Sequence, residues 1–252
     1  VFVFTISKIT FSAVPSNPQR IVGGSVTTID RYPTIAALLY SWDLSTYWQV
    51  CGGTIINNRS ILTAKSLNLI FKEKLWRIRI GSTWANSGGV VHNVNTNIVH
   101  PSYNDITMDN NIAVLRSASA FSFNNNVRAA SIAGSNYNLG DNQAVWAAGW
   151  GTTSDVSPAS EQLRHVELRV INQASCRNSY AGRIVITNNM LCSGWSGGGR
   201  GHCQGDFGGP LYHNDIVVGV CSFGIGCAEA AFPGINVRVL VKIVLSDTFL
   251  NK

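Results

Sequence analysis

The sequence predicts an all-β fold arranged as two β-rich halves. From Thr34 to Val239, short apolar or alternating runs are separated by clusters of Gly, Asn and Ser, the spacing of strands and turns. Hydrophobic residues make up 45% of the chain and charged residues 13%, which excludes a disordered acidic or basic chain. The Asn- and Ala-rich stretch Ser117 to Gly140 divides the runs into two sets.

In the first half the runs are Thr34 to Tyr40, Thr54 to Ile56, Ile61 to Ala64, Leu75 to Ile80, Val90 to Val99 and Ile112 to Leu115. Within them Trp76-Arg77-Ile78-Arg79-Ile80 alternates cleanly, as in a sheet with one wet face. The second half gives Ala144 to Ala148, Gln162 to Val170, Met190 to Cys192, Ile216 to Phe223 and Ile235 to Val239. Leu240, Ile243, Val244 and Thr248 stand at helical spacing, which predicts one short terminal helix. Ahead of the strands, Val1 to Ile6 is apolar and followed by small residues, resembling the end of a secretory signal. Ser16 to Arg20 reads as an exposed linker that a protease could cut before Ile21.

The formal charge is +6. No basic run or stripe accompanies it, so no nucleic-acid partner is expected. No apolar run reaches the roughly 18 residues of a membrane helix. None of the six cysteines form the two close pairs of a structural zinc site, and disulfides are the better reading, implying an oxidising, extracellular compartment. No metal or cofactor is expected. Asn58-Arg59-Ser60 is a candidate glycosylation sequon, with Asn58 as acceptor.

The chemistry-bearing motifs come in a fixed order: IVGG at Ile21, CGGTI at Cys51, LTA at Leu62, HPSYN at His100, DNNIAVL at Asp109, GWG at Gly149, GDFGGP at Gly205, SFGIGCA at Ser222 and PGINVRV at Pro233. Any one of them alone is a weak signal, and GDFGGP by itself is only a Gly-rich turn. Together they resemble the trypsin-like serine protease family across residues 21 to 239, and within it the digestive trypsins of moths. The resemblance implies two six-stranded antiparallel β-barrels with the active site in the cleft between them. It divides the chain into an N-terminal segment 1–20 and a protease domain 21–252, with lobes at about 21–125 and 126–252.

The same resemblance assigns the site residues. Ser66 falls at the family's catalytic histidine, Asn111 at its aspartate and Phe207 at its nucleophilic serine. Gly205, Asp206 and Phe207 are what remains of the oxyanion loop. Gly201 falls at the acid that reads a basic side chain, and His202, Ser222, Phe223, Gly224 and Gly234 complete the specificity pocket, with Phe207 expected to turn across its mouth. Cleavage after Arg20 would free the Ile21 amine to pair with Asp206. Cys176 with Cys192, and Cys203 with Cys227, are the pairs the family forms. Leu67 stands where Cys51 would find its partner, which leaves Cys51 and Cys221 as free thiols.

In serine proteases, converting the triad Asp to Asn costs about 10⁴ in kcat, and loss of the whole triad leaves roughly 10³ to 10⁴ over water. The sequence therefore leads to the expectation of a secreted, monomeric, non-catalytic homologue that binds proteases, protease inhibitors or other secreted proteins. The alternatives are a trypsin-like endopeptidase with residual activity and a decaying duplicate without a selected role.

Overall fold

The computed structural model describes residues 22–65, 72–154 and 156–239. Arg20, Ile21, Ser66, Leu67 and the expected helix beyond Leu240 lie outside them. The first barrel is closed and six-stranded. Its strands are β2 (Ile35–Tyr40), β3 (Trp48–Ile55), β4 (Ser60–Thr63), β5 (Trp76–Ile80), β6 (Val90–Val99) and β7 (Ala113–Ser117), in the order β2-β3-β4-β7-β6-β5. The alternation in Trp76–Ile80 becomes alternate burial, with Trp76, Ile78 and Ile80 inside. These three pack with Leu38, Cys51, Ile55, Ile61 and Leu115 in the barrel core.

The second barrel is built from β9 (Ala144–Gly149), β10 (Arg164–Val170), β11 (Met190–Gly194), β12 (Pro210–His213), β13 (Ile216–Phe223) and β14 (Gly234–Arg238). The path β10-β11-β14-β13-β12-β9 is closed by antiparallel pairing of β9 with β10. Two short strands attach outside it: β1 (Ser25–Val26) on β10, and β8 (Ser131–Ile132), which pairs parallel with β13.

The single α-helix among the described residues, α1 (Gln173–Ser179), was not expected from the sequence. Asn172 caps it, accepting from the N–H groups of Ala174 and Ser175. Cys176, its buried residue, is bonded to Cys192 of β11.

The barrels meet over apolar surface from both. Tyr32, Ile35, Ala37 and Leu39 pack with Ala148, Trp150, Tyr212 and Val217, while Leu62, Ile112 and Val114 pack with Val220, Val237 and Val239. Burial of this kind contributes roughly 25 cal/mol per Å² of apolar surface. It sets β2, β4 and β7 of the first barrel against β9, β12, β13 and β14 of the second.

Candidate active site

The loop Cys203 to Gly209 is clamped between the barrels by its main chain. Gly52 N–H donates to the Phe207 carbonyl (2.8 Å), Gly208 N–H to the Cys221 carbonyl (2.8 Å), and Cys221 N–H to the Gly209 carbonyl (2.9 Å). From the first barrel, Gln49 Nε2 donates to the Gly205 carbonyl at 2.8 Å. Gly208 has φ +79°, and a Cβ there would overlap Thr63 and Gly52, so glycine is required for this close approach. The N–H groups of Gly205 and Phe207 donate to no partner among the described residues.

Asp206 is buried beneath this loop. Its Oδ1 accepts from Gly151 N–H (2.8 Å) and its Oδ2 from Cys203 N–H (3.0 Å). Gly149 and Gly151 press against the carboxylate, with no room for a Cβ on either. Burial raises its pKa to about 7, and the two N–H donors only partly offset this. Val22 pairs with Gly201, whose N–H donates to the Val22 carbonyl at 3.2 Å. The chain just after Ile21 is thereby held alongside this loop.

Asn111, fully buried just before β7, reaches across to the second barrel, where its Nδ2 donates to Ser222 Oγ at 2.7 Å. Phe207 is half-buried and lines a cavity of about 80 Å³ together with Gly201, His202, Gly224 and Gly234. Ser222 and Phe223, expected to complete the pocket, are buried in β13 and do not line this cavity.

His202 is buried, and its pKa is lowered to about 4 by desolvation. Its ring lies against Gly234, where a Cβ would come within 2.5 Å of Nε2. Cys203 is bonded to Cys227, which joins the two loops that wall the cavity. Cys51 and Cys221 are buried free thiols. Asn58 is exposed in the turn between β3 and β4.

Sequence reasoning missed several members of the site. Gly149 and Gly151 were visible only as a motif, not as the cradle of Asp206, and Gln49 carried no signal. Ser193 of β11, and Arg200, Glu229 and Phe232 from loops, also line the cavity.

A fold of two closed antiparallel barrels with this loop between them is the architecture of the trypsin-like proteases, and a model of the trypsin family matches residues 21–244. The chain belongs to that family. It is 61% identical over 231 residues to trypsin, alkaline C, of Manduca sexta, spanning 90% of each protein. It is 60% identical over 230 residues to trypsin CFT-1 of Choristoneura fumiferana, again over 90% of each. With achelase-1 of Lonomia achelous it shares 54% over 209 residues, 80% of this chain and 95% of that protein.

These relatives correct the expectation of a non-catalytic homologue. Proteins named as trypsins match this chain at about 60% identity over nine-tenths of its length, which indicates an enzyme of the trypsin-like endopeptidase type. Three motif positions misled because they concern the groups that move protons and attack the carbonyl. Substrate binding and oxyanion stabilisation rest on main-chain geometry, which those positions do not report.

Proposed function

We propose that this protein is a trypsin-like endopeptidase working with residual turnover on extracellular protein substrates, and that it is bound by the inhibitors such enzymes meet. The observation that carries the reading is its identity of about 60% to proteins named as trypsins, over nine-tenths of the chain. The N–H groups of Gly205 and Phe207, which donate to no partner among the described residues, support it, since main-chain donors of this loop can hold the oxygen of a polarised peptide carbonyl.

Phe207 supplies no nucleophilic oxygen, and Asn111 supplies no charge. In this reading the cleft accelerates attack by water through binding and oxyanion stabilisation. Such catalysis amounts to roughly 10³ to 10⁴ over the uncatalysed reaction, several orders below an intact triad. Arg20, Ile21 and Asp206 would form the activation switch, and no helix among the described residues is long and apolar enough to cross a membrane.

The test is prolonged incubation of the purified, Arg20-cleaved protein with casein and peptide amides, after treatment with a fluorophosphonate that silences any contaminating serine protease. Slow cleavage that survives the treatment is the expected outcome. Cleavage no faster than buffer would remove the reading.

A further inference from the structure

A second cavity, of about 550 Å³, opens on the outer face of the second barrel. Strand register explains its floor. β1 places Ser25 opposite His165 of β10, while β9 places Ala148 opposite His165 and Trp146 opposite Glu167. Residues opposed in this way share one face of a sheet, so Ser25, His165, Trp146 and Glu167 lie together. The alternate residues Val166 and Leu168 point the other way, into the barrel core. Arg200 forms a side wall. Its stem lies against Gly23, where a Cβ would come within 2.7 Å of Cγ, and its guanidinium carbon is 3.9 Å from the centre of the Trp195 ring. Held at stem and head, this side chain is placed before any ligand arrives, which lowers the ordering cost of binding.

The charge on the floor is matched and the charge on the wall is not. Glu167 pairs with Arg169 at 2.6 Å. His165 engages the Tyr32 hydroxyl through Nδ1 at 2.7 Å, and its ring centre lies 4.8 Å from that of Trp146. Arg200, by contrast, has no ion pair and donates no hydrogen bond among the described residues. Gly23 and Gly24 also line the cavity, and their N–H groups donate to no partner among the described residues. An unpaired guanidinium beside main-chain donors favours an anion.

We infer that this cavity binds a peptide carboxylate, with Arg200 pairing its oxygens and Trp146 packing an adjoining apolar side chain. The arginine fork matches a carboxylate with two parallel N–H···O bonds. The half-buried Trp146 indole offers flat apolar surface beside it. The same chemistry is presented by a chain end and by an acidic side chain. The protein's own residues 1–20 do not suit the site, since they hold no acid and carry Lys8 and Arg20. The site lies outside the catalytic cleft, and the inference stands whether or not that cleft turns over.

Arg200 also lines the cavity beside Phe207, so the test must tell the two apart. The ¹⁵N-labelled full chain is titrated with acetyl-Ala-Ala-Phe bearing a free C-terminal carboxylate, with the same peptide as its amide, and with acetyl-Ala-Glu-Phe-amide. The N–H signals of Gly23, Gly24 and the Trp146 indole report this cavity, and those of Phe207 and Gly224 report the other. At least one carboxylate peptide is expected to move the first set and to bind at least about tenfold more tightly than the plain amide. Which of the two acids does so distinguishes a chain end from an acidic side chain. Equal binding of the plain amide, shifts confined to Phe207 and Gly224, or no shift with either acid at millimolar peptide would each overturn the inference. Arg200→Gln should abolish the preference for the acid, and Arg200→Lys, which keeps the charge, should retain part of it. A preference that survives Arg200→Gln intact would overturn the assignment to Arg200.

Discussion

Both disulfides lie in the second barrel and its loops, while the first barrel holds Cys51 as a buried thiol and has no disulfide among the described residues. The contrast follows what each region has to hold. In the first barrel, continuous strand pairing closes the ring and an apolar core fills it. In the second, loops carry the cavity. Cys203–Cys227 joins two segments 24 residues apart around it, and Cys176–Cys192 ties a seven-residue helix to β11. Where packing fixes the backbone no cross-link is needed, and where loops must keep a cavity open the chain uses sulfur.

The largest expected effect breaks this contrast directly. Replacing Cys203 and Cys227 together by alanine should cost about 2 to 5 kcal/mol of stability, because the unfolded chain regains the entropy of an open loop. Loss should concentrate around the cavity. Hydrogen exchange should quicken at Gly201 to Gly205 and Gly224 to Ala228 while β2 to β7 stay protected; uniform quickening over both barrels would show that the cross-link is not local in its action.

The next effect concerns two buried titrating groups in that cross-linked loop, Asp206 and His202, which oppose each other. The folded Asp206 pKa of about 7 lies above its ordinary 3.8, so the folded state binds the extra proton and stability falls as pH rises from about 4 to 7. His202 has the opposite sign. Its folded pKa of about 4 lies below 6.5, so stability is lost as pH falls from about 6.5 to 4. Each shift corresponds to roughly 3 to 4 kcal/mol at full extent, and over pH 4 to 6.5 the two nearly cancel. Asp206→Asn should unmask a stability that climbs with pH over that range, and His202→Gln one that falls, both read from urea midpoints. Parallel pH profiles for the two variants would contradict the assignment. Cleavage after Arg20 sharpens the test: if the freed Ile21 amine reaches Asp206, the melting temperature should rise and the Asp206 slope disappear, and acetylating that amine should restore it.

Legibility in the sequence followed the same division. The first barrel could be read because its strands carry side-chain periodicity: Trp76–Ile80 alternates in sequence and in burial. The beginning of β3 was missed, since Cys51-Gly52-Gly53 looks like a turn, although here glycines permit the contact with Gly209. In the second barrel β12 was missed because it is four residues long and begins with Pro210. The helix α1 escaped because one buried residue in seven leaves no pattern. Of the site, the motif-borne residues Asp206, Asn111 and His202 could be found. The cradle of Gly149 and Gly151, and the Gln49 bond to Gly205, depend on segments that meet only after folding. Function was the least legible part: three substituted positions were given more weight than a match to trypsins over nine-tenths of the chain.

The smallest expected effect returns to Cys51, the first barrel's counterpart to the cross-linked cysteines. It is buried in the core beside Leu38 and Ile55, where it acts as a small apolar side chain, and burial pushes its thiol well above the ordinary range. Cys221 is buried as deeply, and its thiol is raised in the same way. Neither should react with a thiol reagent in the native protein, because reaction needs both exposure and a thiolate; in denaturant both should react. Zero reactive groups in denaturant would mean that these two cysteines had paired, and that the first barrel is cross-linked after all. Cys51→Ala removes one buried heavy atom and should cost about 1 kcal/mol, well below the loss from breaking Cys203–Cys227. A comparable loss from the two substitutions would show that sulfur matters as much in the packed barrel as in the loops, and the contrast between them would fail.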